Sequence, residues 1–340
     1  MKVIGKHAAG GAPEAQNAQQ SVSASSSISP PSKSTKTHIP ILLKKVSRQK
    51  ALQSMAIPGV LWMIIFNYIP MYGIIIAFKE FQTIHTINSA PWVGLVHFQE
   101  LFRDPEFFGS LRNTLGISLL KLLIGFPIPI IFAILLNEIT QVGFKRWMQT
   151  ISYLPHFLSW VVLGGMMSTW FSENGLVNEL LTNTGLISEP LPFLGSPDGF
   201  WLMAVLSETW KEMGWGAIIY LAAISGISPA LYDAAVIDGA NRFQKIRYIT
   251  LPSIAGTITI LLILAISGAL NTNFDQMFVL NNPLNESASN VLDLYVYRTG
   301  IRGLRLSYAT AVGLFKALIA LVLLLGANGF SKKIQNRSLF

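Results

Sequence analysis

Five charged side chains interrupt the apolar runs of this sequence, and their types and spacing are what could do chemistry there. Glu208, Lys211 and Glu212 stand at i, i+3 and i+4 within the run 201–223, a spacing that puts them on one face of a helix. Two chemistries fit: an internal ion pair, or a proton relay in which Glu208 or Glu212 takes up and releases a proton inside a bilayer. Lys121 and Lys316 stand alone in two other runs. A charge at the bilayer centre costs about 2.5–3.5 kcal/mol on insertion scales, so a span bears one but seldom without a use. Lys316 is about ten residues from either end of its run, roughly 15 Å at helical rise, which makes snorkelling difficult. Lys121 lies nearer an end, where a headgroup contact and a function are both open. Asn271, Thr272, Asn273 and Gln276, beside Phe274 and Phe278, offer amides and ring faces that suit sugar hydroxyls and rings. A helix end returning to water reads the same way.

Other reaction classes find no support. Gly5-Lys6-His7 holds the single Gly-Lys pair, and no GxxxxGK[ST] loop, HExxH or GxSxG occurs, so neither nucleotide hydrolysis nor an intramembrane hydrolase is expected. With no cysteine and five histidines scattered singly, no metal site and no catalytic residue is expected. His156, beside Pro155, reads as a hydrogen-bonded packing residue rather than a ligand.

These residues must be positioned by helices in lipid. With 51% hydrophobic and 12% charged residues among 340, the chain reads as an all-α polytopic membrane protein. The net charge of +8 would suggest nucleic acid in a soluble protein; here its distribution matters more, and no nucleic-acid partner is expected. Residues 1–50, rich in Ser, Ala, Gln, Lys and Pro, read as a disordered basic tail. No cleavable signal peptide is expected, since the first apolar run starts only near Ala51. Residues 51–340 read as one transmembrane domain with six spans, about 56–78, 113–136, 147–170, 201–223, 252–274 and 306–330. Pro127 and Pro129 interrupt the second. Leu95, Phe98, Leu101 and Phe102 recur at helical spacing between the first two, giving either an interfacial amphipathic helix or a packed one. Small-xxx-small pairs, Gly164/Ser168 and Ala309/Gly313, permit close helix packing. The side holding both termini, residues 137–146 and residues 224–251 carries sixteen Lys and Arg against six on the other, so the positive-inside rule makes both termini cytoplasmic.

The cytoplasmic segment 224–251 is polar punctuation in this apolar chain. Ser228 can cap a helix starting at Pro229, Gly239 supplies a left-handed stop, and Asn241 with Gln244 can form a capping box for a basic helix. Pro252 should end or kink that helix at Leu251. Asp233-Ala234-Ala235, Gly239 and Ile249-Thr250-Leu251-Pro252 fit the pattern [ED]-A-A-x3-G-x9-I-x-L-P, the EAA motif. The chain therefore resembles the permease subunits of binding-protein-dependent ABC importers. The runs Phe66–Gly73, Tyr153–Trp160, Trp210–Gly216 and Ser307–Gly313 extend the resemblance to the carbohydrate-uptake branch, in the group handling oligosaccharides, including pectin- and alginate-derived uronates. It covers residues 44–340.

The resemblance implies a bacterial inner-membrane subunit that pairs with a second, usually different permease to enclose an alternating-access path. Two partner ATPase subunits would bind ATP and Mg, this chain carrying no cofactor, and an extracytoplasmic solute-binding protein would deliver the oligosaccharide. The EAA loop would be the coupling helix, with Leu231, Asp233, Ala234, Ala235, Asp238, Gly239 and Arg242 as contacts. Substrate-path candidates are Lys121, Glu208, Trp210, Lys211, Trp215, Asn271, Asn273, Gln276, Tyr308 and Lys316, the lysines favouring an acidic sugar. Residues 79–112, 176–200 and 275–305 would form the docking face, the acidic loop Glu173–Asp198 meeting a complementary patch. The rival reading is an ion-coupled secondary transporter working through Glu208 or Glu212.

Overall fold

The structure, a computed structural model, describes residues 50–82 and 86–335. The tail expected at residues 1–50 lies outside the described residues except for Lys50. Among the described residues every regular element is helical, and the one strand-like contact is an isolated bridge between Lys79 and Trp92. Residues up to Ile64 form one unit, which contains helix α1 (Lys50–Met63). The second unit, from Ile65, is built on α2 (Pro105–Leu120), α3 (Pro127–Glu138), α4 (Val142–Tyr153), α5 (Trp160–Trp170) and α6 (Phe200–Ser225). It continues through α7 (Pro229–Ile237), α8 (Arg242–Lys245), α9 (Leu251–Ser267), α10 (Phe274–Leu280), α11 (Leu292–Val296) and α12 (Leu306–Gln335).

Among the described residues, four helical stretches are long and apolar enough to cross a membrane: Ser54–Phe78, Pro105–Glu138, Arg242–Ser267 and Leu306–Gly329. Phe200–Ser225 with Pro229–Ile237, bent by 71°, makes a fifth. The expected span 147–170 is not one helix. Pro155 sits in a 3-10 turn, Leu158 is extended at ψ 133°, and the Ser159 side chain caps α5 by accepting from Val162 N at 3.3 Å. The span placed at 252–274 likewise stops at Ser267 and restarts as α10 at Phe274, because Asn273 leaves the helical region and caps the new helix.

Two prolines of the long helices, Pro127 and Pro252, follow wide turns. A proline ring presses on the carbonyl four residues back and lacks an N–H. Immediately before Pro127, residues Lys121–Gly125 form a π-turn, with Phe126 N donating to Lys121 O at 2.8 Å. Ile246–Thr250 do the same before Pro252, where Leu251 N donates to Ile246 O. The extra residue in each turn moves the ladder away from the ring. Leu251 therefore keeps helical geometry at φ −59°, ψ −46°, and the break expected there does not occur.

Three apolar clusters hold the second unit. The central one joins Ile117 of α2, Trp160 and Leu163 of α5, Phe200 and Val205 of α6, Met277 and Leu280 of α10 and Leu294 of α11. Towards one end, Leu101, Phe107, Leu292, Tyr295, Tyr308 and Val312 pack together. Leu101 is fully buried there while Leu95 and Phe102 stay 59% and 55% exposed, so the segment packs on one side and keeps an exposed apolar side. Towards the other end, Ala133, Ala217, Tyr220, Ile224 and Ile254 join α3, α6 and α9. Gly214 lets α6 lie directly on the Ser152 carbonyl of α4, and a Cβ on Gly164 would run into Val279. Gly313 meets nothing within 4 Å, whereas its pair partner Ala309 packs directly on Gly300.

Candidate functional site

A cavity of about 290 Å³ opens between α2, α3, α6 and the end of α9, and three of the substrate-path candidates line it: Lys121, Glu208 and Asn271. Glu212, Ser118 and Thr209 complete its polar wall, with Phe126, Pro129, Met213 and Ala265 opposite. The π-turn that accommodates Pro127 begins at Lys121, and Lys121 meets Glu208 of α6 in an ion pair. These side chains are 23% and 20% exposed. The i, i+3 pair between Glu208 and Lys211 is therefore not formed. A partner from another helix prevails because α2 presents a cation directly to the Glu208 carboxylate.

One turn further along α6, the other two charges close on a histidine. Lys211 Nζ donates to Glu212 Oε1 at 3.0 Å and to the His156 carbonyl at 2.7 Å. His156 Nδ1 lies 2.7 Å from Glu212 Oε2. The imidazole stacks on Trp215 with ring centroids 4.4 Å apart and planes 1° from parallel, and Phe157 meets Trp215 edge-on at 5.9 Å. The extended backbone at Leu158 that splits the expected third span also leaves the 3-10 turn bearing His156 against α6. Both carboxylates offered as proton carriers thus sit in ion pairs.

The remaining candidates stand elsewhere. Lys316, a substrate-path candidate, pairs with Asp293 of α11, whose Oδ2 accepts from Thr272 Oγ1 at 3.2 Å. Residues 275–305 are thus not simply a surface loop, since α11 packs against the middle of α12. Gln276 is fully buried and donates to Ala204 O at 2.7 Å and Ser207 Oγ at 3.0 Å. Asn273 caps α10, and Trp210 lines a second, apolar cavity of about 800 Å³ with Trp170, Phe171, Phe193 and Leu206. Tyr308 is buried, bonded to Tyr295 and to Asp104 at 2.9 Å each. Burial pushes the Asp104 carboxyl up, but hydrogen bonds from Tyr295, Tyr308 and the N–H groups of Glu106 and Phe107 outweigh it and hold it below the ordinary value. Tyr295 is pushed up by burial first and then by Asp104.

The coupling-loop candidates share one exposed hairpin. Gly239 takes φ +75°, with Ala240 N donating to Ala235 O at 2.8 Å, a left-handed helix stop that glycine adopts at no steric cost. The Asn241/Gln244 capping box is present. Ser228 supplies no side-chain cap; its backbone carbonyl instead accepts from Leu231 N at 3.2 Å, the third-position donor that such a cap would serve. Tyr232 and Thr250 tie the two arms together at 2.9 Å. Leu231, Val236, Ile237 and Phe243 remain 52%, 58%, 86% and 69% exposed. Asp233, Ala234, Asp238, Gly239 and Arg242 are exposed and Ala235 half-buried. Ala235, Asp238 and Gly239 line a hollow of about 300 Å³ with Lys245 and Tyr248. His156 is hydrogen-bonded and packed as its sequence reading expects, whereas sequence reasoning missed Asp293 as an ion partner; its signal was its place between Leu292 and Leu294, both buried.

Residues 125–337 match the family described as binding-protein-dependent transport system inner membrane component. Protein LplB of Bacillus subtilis (strain 168) is 42% identical over 296 residues, 87% of this chain and 92% of that protein. The polygalacturonan/rhamnogalacturonan transport system permease protein YteP of the same organism is 42% identical over 300 residues, 88% of this chain and 93% of YteP. Among solved structures, a chain of a bacterial alginate ABC transporter in complex with alginate pentasaccharide-bound periplasmic protein matches with TM-score 0.80 and 39% identity. That match covers 88% of this chain and 99% of the other.

Proposed function

The chain belongs to the binding-protein-dependent transport system inner membrane component family, and from that premise we propose that it forms half of the translocation path of an ATP-driven oligosaccharide importer. Its sugar is acidic, derived from pectin or alginate. A second, different permease completes the path, two ATPase subunits bind ATP and Mg below, and a solute-binding protein delivers the sugar on the far side. The membrane is the bacterial inner membrane, crossed six times with both termini in the cytosol. The names of YteP and of the alginate transporter support the acidic sugar.

The observation that carries the coupling role is the hairpin around Gly239. It leaves α6 at 71° and presents Leu231, Val236 and Ile237 uncovered among the described residues. The turn is fixed by a left-handed glycine and the capping box, so a push on α7 reaches α9 and α6 without being lost in a loose loop. Asp233 and Asp238 offer charge-assisted contacts, and Ala234 and Ala235 permit close approach. The path itself is assigned to the cavity with Lys121, Glu208 and Asn271, whose charge, amide and apolar wall fit a hydroxyl-rich ligand.

The test uses the complete complex with its binding protein in proteoliposomes. Uptake of uronate oligosaccharides should require ATP and survive collapse of the proton gradient, and Gly239→Asp should insert normally yet lose substrate-stimulated ATPase activity. Uptake that follows the proton gradient without ATP would instead favour secondary transport through Glu208 or Glu212.

A further inference from the structure

Three lysines in the apolar helices, Lys211 buried and Lys121 and Lys316 half-buried, are each matched: Lys121 with Glu208, Lys211 with Glu212, Lys316 with Asp293. An anionic sugar meets no unmatched cation there. At the end of the unit beyond Asn271, two of the three arginines of residues 298–305 are also taken. Arg298 pairs with Glu286 and donates to Asn281 Oδ1 at 2.6 Å, while Arg305 pairs with Glu100 and lies 4.5 Å over the Tyr308 ring. Arg302 differs. It has no carboxylate partner among the described residues, and its guanidinium lies over the Tyr297 ring at 5.6 Å.

That ring belongs to a platform. Tyr297 meets Phe274 edge-on at 5.4 Å and Phe278 at 5.6 Å, and Phe274 and Phe278 stack at 5.5 Å, one turn apart on α10. The opposite side of α10 is anchored: Gln276, Met277 and Leu280 are buried, and Gln276 is bonded to Ala204 and Ser207 of α6. The aromatic face is therefore held outward, with Phe278 43% exposed. α10 starts three residues beyond Asn271, which lines the cavity, so the platform adjoins the cavity wall along the chain.

We propose that Arg302, Phe278 and Tyr297 form a binding platform for a uronate residue at the mouth of the path. The C–H face of the sugar ring rests on Phe278 and its carboxylate takes the two parallel N–H groups of Arg302. A guanidinium resting on a tyrosine face is pre-oriented and weakly hydrated, which suits bidentate capture of a carboxylate better than a mobile lysine would. An uncharged sugar would gain the ring contact alone. Selection of the acidic sugar by this chain then happens before the membrane cavity. The inference rests on the reading of the chain as an acidic-oligosaccharide importer.

The experiment is uptake of a galacturonate trisaccharide by the complete reconstituted complex with its binding protein. Relative to wild type, Arg302→Gln should lower sub-saturating uptake about tenfold and Phe278→Ala several-fold. Arg302→Lys should retain more than Arg302→Gln, and the thermal stability of both Arg302 variants should stay unchanged. Wild-type uptake in Arg302→Gln would overturn the platform and leave the importer reading intact, and so would a loss matched by equal losses of basal ATPase and stability. A wild-type complex that carries only uncharged oligosaccharides would overturn both.

Discussion

Replacing Lys121 by Met strips the Glu208 carboxylate of its counter-charge inside the cavity. Removing one member of a buried ion pair costs about 3–5 kcal/mol, because the survivor stays desolvated and unpaired. Here the two side chains keep 23% and 20% of their exposure and face a cavity, so water can reach the abandoned carboxylate and about 2–3 kcal/mol is expected. Glu208→Gln leaves Lys121 in the same position and should cost a similar amount. The double variant Lys121→Met/Glu208→Gln removes both charges and should return to within about 1 kcal/mol of wild type, giving a coupling of about 3–5 kcal/mol. At about 2 °C per kcal/mol for a chain of this size, each single variant should melt about 4–6 °C lower and the double variant close to wild type. Thermal unfolding of the purified complex in lipid nanodiscs reads this directly. Single-variant losses that simply add in the double variant would show that the two charges do not interact, and the account of the cavity wall would fall.

Asp104 accepts from Tyr295 and Tyr308 and caps α2; Asp104→Ala should cost about 2–3 kcal/mol by thermal unfolding and Asp104→Asn, which keeps a cap oxygen, about 1 kcal/mol. Because its folded pKa is depressed, its contribution should be complete above about pH 4 and lost as pH falls through the lower folded value; an acid-melting profile of Asp104→Asn should lack that step. At Gly214 even an alanine Cβ would strike the Ser152 carbonyl of α4, so Gly214→Val should abolish assembly of the complex as seen by size-exclusion chromatography, whereas Gly313→Ala, facing open space in this chain, should leave the chain's own melting unchanged. Gly239→Ala meets no neighbour but must hold φ +75°, so it should cost only about 1 kcal/mol of strain and couple far better than Gly239→Asp.

What was legible in the sequence was local. The Asn241/Gln244 box and the Gly239 turn depend on residues within a few positions of one another, and both form as their types require. Lys121, Glu208 and Asn271 could be named as odd residues in apolar runs, and they do line one cavity. What was not legible were partners and breaks set by packing. Glu208 had a lysine three residues away yet pairs with one far back in the chain. Pro252 should end or kink a helix at Leu251, and after a wide turn the helix runs on instead of ending. Pro155 stands inside the expected span 147–170, but Leu158 turns extended behind it and Ser159 restarts the helix. A local rule states what a residue tolerates, and the neighbours choose among the tolerated outcomes.

The matching of lysines and carboxylates bears on how an acidic sugar can cross at all. A free lysine in the cavity would bind a polyanion, but at low dielectric it would also hold it, and a path must release what it admits. With Lys121 already facing Glu208 and Lys211 facing Glu212, the cavity offers dipoles, an amide and ring faces rather than a bare charge. A passing carboxylate would have to compete with Glu208 for Lys121, so its binding there is weakened by about the strength of the existing pair. That places recognition of charge at the mouth, where Arg302 stands in reach of water and screening keeps the attraction modest. The double variant separates the two roles. If Lys121→Met/Glu208→Gln imports galacturonate trisaccharide at near the wild-type rate while Arg302→Gln does not, charge is read at the mouth and the cavity serves only for passage.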